Sequence, residues 1–147
     1  MNYQKVKEYK SLLRECFETD IVLLEKFHIY AGQGIETCVN KTFKDLQEAN
    51  VQIFKIEQDH ELVGYFGKED LDEIKFLTGF FIVPKFRSTQ DRKEVWNLIQ
   101  NEIKQPFYCG LFEKNIPANR FIKSNGGQIV KQDKLDDIPF VVYKVGA

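Results

Sequence analysis

In the first third of the chain, apolar residues fall at three- and four-residue intervals. Over residues 2–17, Val6, Tyr9, Leu13, Cys16 and Phe17 recur this way with charges between them, which predicts one amphipathic helix. Asp20 is placed to cap a second, short helix carrying Ile21, Leu24 and Phe27, which Gly32 and Gly34 would break. Residues 35–48 read as a third helix with Val39, Phe43 and Leu46 on one face, so three helices are expected before any strand. At Val51 the period shortens. Residues 51–56, 62–66 and 74–83 are β-rich, and in the last of these Ile74, Phe76, Thr78, Phe80 and Ile82 alternate against Leu77, Phe81 and Val83. They predict three sequential antiparallel strands, with turns at 58–61 and at the acidic segment 68–73. The third, apolar on both faces, belongs in the middle of a sheet.

A helical period returns over residues 91–104, through Val95, Leu98, Ile99 and Ile103, and Pro106 opens an apolar run to Phe112. A strand, a helix and a strand in succession predict a parallel pair. Asn115 suits the cap of a further helix, with Pro117 in its first turn, Phe121 and Ile122 inward and Gly126 at its end. Residues 128–131 and 139–145 would close the chain as a hairpin with a long connection. No repeat, low-complexity stretch or linker divides the sequence. The expectation is one α/β domain of mixed (α+β) type over residues 1–147, with a helical part at 1–49 and a sheet part at 50–147.

Composition narrows the function classes. The 147 residues are 43% hydrophobic with 13 Phe, enough for a substantial core and against disorder. The 21 Lys and Arg are balanced by 22 Asp and Glu, so no global excess of positive charge favours nucleic acid. A small nucleic-acid-binding domain using Lys85 to Lys93 is the weakest reading, because Asp91 and Glu94 interrupt the patch. The longest apolar runs, at 21–24 and 80–83, fall far below the ~20 residues of a membrane helix. Lys5, Lys7, Glu8 and Lys10 stand where a signal peptide would be apolar, so a cytoplasmic location is expected. Cys16, Cys38 and Cys109 lack the paired spacing of a metal site and read as reduced and structural; no metal is expected.

The stretch after Phe80 is where chemistry concentrates, because a central strand there runs into a loop and then a helix. A helix start offers free N–H groups and roughly half a positive charge to an anion. Lys85, Arg87, Arg92 and Lys93 add cations, Ser88 and Thr89 hydroxyls, and Asp91 a possible cap. On charges alone, an ordinary solvated loop with a capped helix fits better than a phosphate site.

The order of elements resembles that of the GCN5-related N-acetyltransferase (GNAT) family. Ile82, Val83, Pro84, Lys85, Phe86 and Arg87 look like the family signature that ends its fourth strand. Asn115, Ala118, Phe121 and Gly126 are similar to the helix that follows its fifth. The resemblance covers residues 51–145 and implies a mixed central sheet with antiparallel N-terminal strands, parallel splayed fourth and fifth strands and flanking helices. It implies acetyl-CoA as donor in that splay. The edge at Phe81, Ile82 and Val83 would meet the pantetheine arm, and the loop from Arg87 through Ser88, Thr89, Gln90 and Asp91 to Arg92 would hold the diphosphate, with Asn115 beside it. An amine, on a small molecule or a protein, would attack the thioester directly. Glu73 and Glu113 are the carboxylates this map places best, and Tyr108 is the nearest phenol.

Departures accompany the matches. Gln90 and Arg92 stand where the family loop has small residues, and Ile122 stands where many members have a tyrosine acid. They support a second reading, a GNAT-fold binding or structural module without transfer chemistry that acts through a protein partner. The oligomeric state is left open.

Overall fold

The chain opens in a strand. A computed structural model describes all 147 residues and places β1 at Asn2–Val6, before α1 at Lys10–Glu18, so the single helix expected over residues 2–17 is corrected. β1 pairs antiparallel with the strand at Gln52–Gln58, β2. Its apolar content is chiefly Tyr3, whose ring packs on Phe54 and Phe66. With one aromatic in five residues the strand shows no period of its own, and the edge of β2 rather than local propensity makes it extended. The expected second helix shrinks to one π-type turn at Leu23–Phe27. Asp20 does cap it, its Oδ1 accepting from the Leu23 N–H at 3.1 Å. α2 spans Ile35–Glu48, as its apolar stripe predicts, with Val39 and Leu46 buried and Phe43 against Tyr9.

β3 (Glu61–Leu71) and β4 (Ile74–Ile82) are longer than their apolar runs. The acidic segment expected as a turn is ladder: Lys68, Glu69 and Asp70 pair with Leu77, Phe76 and Lys75. α3 (Thr89–Glu102) leads to β5 (Phe107–Phe112), and α4 (Ile116–Ser124) leads to β6 (Gln128–Leu135) and β7 (Ile138–Val145). The long final connection is likewise corrected, since β6 and β7 meet in a tight turn at Asp136 and Asp137, both at positive φ. Every residue of β6 is exposed, so this edge strand carries no alternation to read.

All seven strands form one sheet in the order β1-β2-β3-β4-β5-β7-β6, with β4 and β5 parallel, as expected. Helices cover both faces. Phe80 packs on Phe121 of α4 and its neighbour Phe81 on Phe17 of α1, and adjacent strand residues point to opposite faces. The expected alternation along β4 breaks in the middle. From Phe66 to Lys68 β3 advances two residues while β4 goes from Phe80 back to Leu77, three residues, so β4 carries an extra residue. Leu77 therefore shares a face with Phe80 instead of opposing it. Gly79, at φ +82°, adopts the left-handed backbone that such a bulge needs and that a side chain would oppose.

Candidate functional site

A bulge bends the strand that carries it, and here the bend opens the sheet. β4 and β5 share one ladder pair, Phe76 with Tyr108, just before the bulge; beyond it they part. The gap widens into a cleft of about 730 Å³ lined from β4 and β5 and from helices on both faces. Backbone direction in this part of β4 follows from one bond. The Val83 N–H donates to the Val63 carbonyl of β3 at 2.8 Å, and main-chain groups alternate along a strand. Val83 and Phe81 therefore turn toward β3, and Ile82 and Phe80 toward the gap. Of the three positions read as the strand edge, Ile82 alone presents its main chain there.

The loop after β4 borders the mouth of the cleft, at the end away from the Phe76 and Tyr108 pair. Arg87 is braced: Nε donates to the Ile82 carbonyl at 2.7 Å, NH1 meets Asp20 Oδ2 at 2.7 Å, and the guanidinium lies over the Phe81 ring. Asp20 thus caps the π-type turn with one oxygen and ties it to this loop with the other. Ser88 caps α3, its hydroxyl accepting from the Asp91 N–H at 3.1 Å. The N–H groups of Thr89 and Gln90, first in the helix, have no acceptor in the chain and remain available to an anion. Arg92 and Arg120 are exposed, line the cleft and make no ion pair. Asn115 also lines it and caps α4, its Oδ1 accepting from the Ala118 N–H at 3.3 Å.

The opposite wall is built by the α1 to α2 region and β3, and most of its polar groups were missed in the sequence. His28 follows the π-type turn and packs against Phe17 and Tyr30. Its Nδ1 accepts from the Tyr30 N–H at 3.0 Å, which leaves the proton of the neutral ring on Nε2, 3.3 Å from Thr42 Oγ1. Burial, with Lys114 nearby adding to it against Asp45, lowers its pKa to about 4. The Tyr30 hydroxyl donates to Asp45, and burial together with that carboxylate pushes it up to about 12. Tyr65 of β3 completes the wall, its phenol raised by burial.

His28 carries a pH prediction. The unfolded ring binds a proton near pH 6.5 and the folded one near 4, so falling pH protonates the unfolded chain first. Stability from this group is fully present above about pH 6.5 and is lost as pH drops toward 4, on the order of 3 kcal/mol. Denaturant midpoints across that window should fall for the wild type and fall less for His28→Asn. Parallel curves would contradict the neutral buried ring.

Glu73 is exposed in the turn before β4, and Tyr108 sits at the closed end with its ring on Phe76; neither lines the cleft. Ile122 is wholly buried. The three cysteines are free and buried, with burial pushing Cys16 and Cys109 up to about 12, so none is an activated nucleophile. No group of three or more His, Cys, Asp or Glu residues is placed to hold a metal ion, and no helix is long and apolar enough to cross a membrane.

No family model and no curated protein matches the sequence. Solved structures do match over nearly the whole chain. An acetyltransferase of the GNAT family from Staphylococcus aureus is similar with TM-score 0.59 and 20% identity, over 98% of each chain. An acetyl transferase from Salmonella typhimurium that modifies the N-terminal serine of a 50S ribosomal subunit protein gives TM-score 0.66 and 13% identity, over 99% of this chain and 94% of that one. A further Salmonella typhimurium protein, solved with its cofactor acetyl-CoA, gives 0.57 and 11%, over 99% and 93%. At these identities the likeness is one of architecture, and it agrees with the mixed sheet, the parallel β4 and β5 and the flanking helices: the chain has the fold of the GCN5-related N-acetyltransferases.

Proposed function

We propose that this protein transfers an acetyl group from acetyl-CoA to an amine by direct attack of the amine on the thioester. The observation that carries the reading is the parting of β4 from β5 after a single ladder pair. A continuous sheet would have no room for an amide-bearing arm between two inner strands. Here the main chain of Phe80 and the Ile82 N–H face the gap and can pair with such an arm as strands pair with peptides, while the Ile82 carbonyl is held by Arg87. At the mouth, the Thr89 and Gln90 N–H groups, with Arg92 and Arg120, suit a diphosphate. The acetyltransferase neighbours, one of them solved with acetyl-CoA, point the same way.

Acetyl-CoA supplies an activated acyl group, and the chain supplies position. Ser88, Thr89, Gln90, Asp91 and Arg92 form the diphosphate end, Ile82 the strand edge, and Asn115 holds the start of α4 against the arm. Arg87 acts through its brace, fixing the turn after Pro84 against Asp20. The amine enters from the wall of His28, Thr42 and Asp45, where Asp45 is the one carboxylate lining the cleft and attracts a cationic acceptor. Its source is a small molecule or a protein terminus, the latter by analogy with the neighbour that modifies a ribosomal protein.

Calorimetric titration with acetyl-CoA tests this. Saturable binding that weakens as salt rises is the expected result. No heat of binding at millimolar acetyl-CoA would contradict it and favour a fold kept as a protein-binding module.

A further inference from the structure

Tyr65 is 4% exposed, and no group in the chain takes its hydroxyl. No fully buried side-chain oxygen or nitrogen lacks a partner, so the little of Tyr65 that is open includes the hydroxyl. The residue lines the cleft. Its direction follows from Gly79. A side chain at position 79 would begin 3.9 Å from Cε2 of Tyr65, the carbon beside the one that bears the hydroxyl, and 3.9 Å from Leu46 Cδ2. The phenol end of Tyr65 therefore lies by the residue that makes the bulge, at the point where β4 leaves β5.

Resting on the acetyl-CoA reading, we propose that the Tyr65 hydroxyl donates a hydrogen bond to the carbonyl oxygen of the bound thioester. An arm anchored at the start of α3 and running back along Ile82 and Phe80 brings its thioester to the bulge, under this phenol. The hydroxyl has no partner within the chain and opens on the cleft, so a carbonyl oxygen seated there can accept from it in place of water. During transfer the amine nitrogen bonds to the acyl carbon, and the carbon–sulfur bond breaks with its electron pair on sulfur. The proton shed by nitrogen balances the thiolate. Tyr65 keeps its proton and stabilises the charge that grows on oxygen, as a donor already held in place by its packed ring.

The test compares acetyl-CoA with S-ethyl-CoA, which has a methylene in place of the carbonyl, by calorimetry on the full chain. The wild type should prefer acetyl-CoA by about fivefold, the worth of one such hydrogen bond. Tyr65→Phe, which keeps the packed ring, should abolish most of that preference and leave S-ethyl-CoA binding unchanged. Acetyl-CoA labelled with carbon-13 at the carbonyl adds a spectroscopic reading: its stretch should drop on binding to wild type and recover in the variant. Equal affinities of the wild type for both compounds, or the same preference in both proteins, would overturn the role of Tyr65 while leaving the cleft assignment intact. Failure of the wild type to bind either compound would overturn both.

Discussion

Gly64→Ala is expected to cost about 3 kcal/mol or more, lowering the thermal midpoint by about 10 °C. Gly64 pairs with Ile82 across β3 and β4, and a methyl group there would stand 1.9 Å from the Phe81 carbonyl oxygen and 2.9 Å from its carbon. Both atoms are backbone, so no side chain can swing aside. The two central strands would have to separate next to Tyr65 and just above the bulge. Gly110→Ala is the control, because a methyl group at that β5 position meets nothing within 4 Å. With less backbone freedom to lose on folding, it should leave stability unchanged or raise it by up to about 1 kcal/mol. Thermal melts of the two variants check the contrast. Equal midpoints would mean that β3 and β4 are not packed this closely.

The second large effect concerns charge at the mouth of the cleft. Replacing both free guanidinium groups, Arg92→Glu with Arg120→Glu, should weaken acetyl-CoA binding about 100-fold at low salt. Charge-assisted hydrogen bonds contribute roughly 1.5–3 kcal/mol each, and reversal adds repulsion to their loss. Both side chains are exposed and unpaired, so the fold should melt as before. Raising ionic strength should narrow the gap between variant and wild type. Calorimetry in two salt concentrations measures it, and a loss under threefold would contradict a diphosphate at this end. Arg87 is the wrong residue for this test: its removal leaves Asp20 and the Ile82 carbonyl without their partner, so a loss of binding would report a loosened turn as readily as a lost ligand contact.

How much of this was legible in the sequence depended on whether each element signals itself locally. α2 and the Asn115 cap did, through an apolar stripe and a cap followed by proline. β1 and β6 did not. One is held by Tyr3 on a neighbour's aromatics, the other is an exposed edge, and neither has a two-residue period. β3 was legible over residues 62–66, and only its extension through Lys68, Glu69 and Asp70 was hidden, since charged residues at a sheet end look like a turn. Within the site, the turn after Pro84 and the start of α3 could be read because caps and cations lie close together in sequence. The other wall could not, because His28, Thr42 and Tyr65 converge from three elements. The Asp20 to Arg87 brace spans 67 positions. Gly79 carried a faint signal as the lone glycine inside an otherwise β-rich run. A glycine in a strand interior suggests a bulge, and the bulge is what shifts the alternation and parts the strands.

The central claim is that the gap between β4 and β5 receives an acyl-CoA whose diphosphate meets the start of α3. Backbone amide resonances followed during titration with acetyl-CoA test it most directly. Saturable shifts should concentrate at Phe80, Ile82, Thr89 and Gln90, with the hairpin of β6 and β7 silent. Unmoved amides at millimolar ligand, or shifts confined to other surfaces, would contradict it.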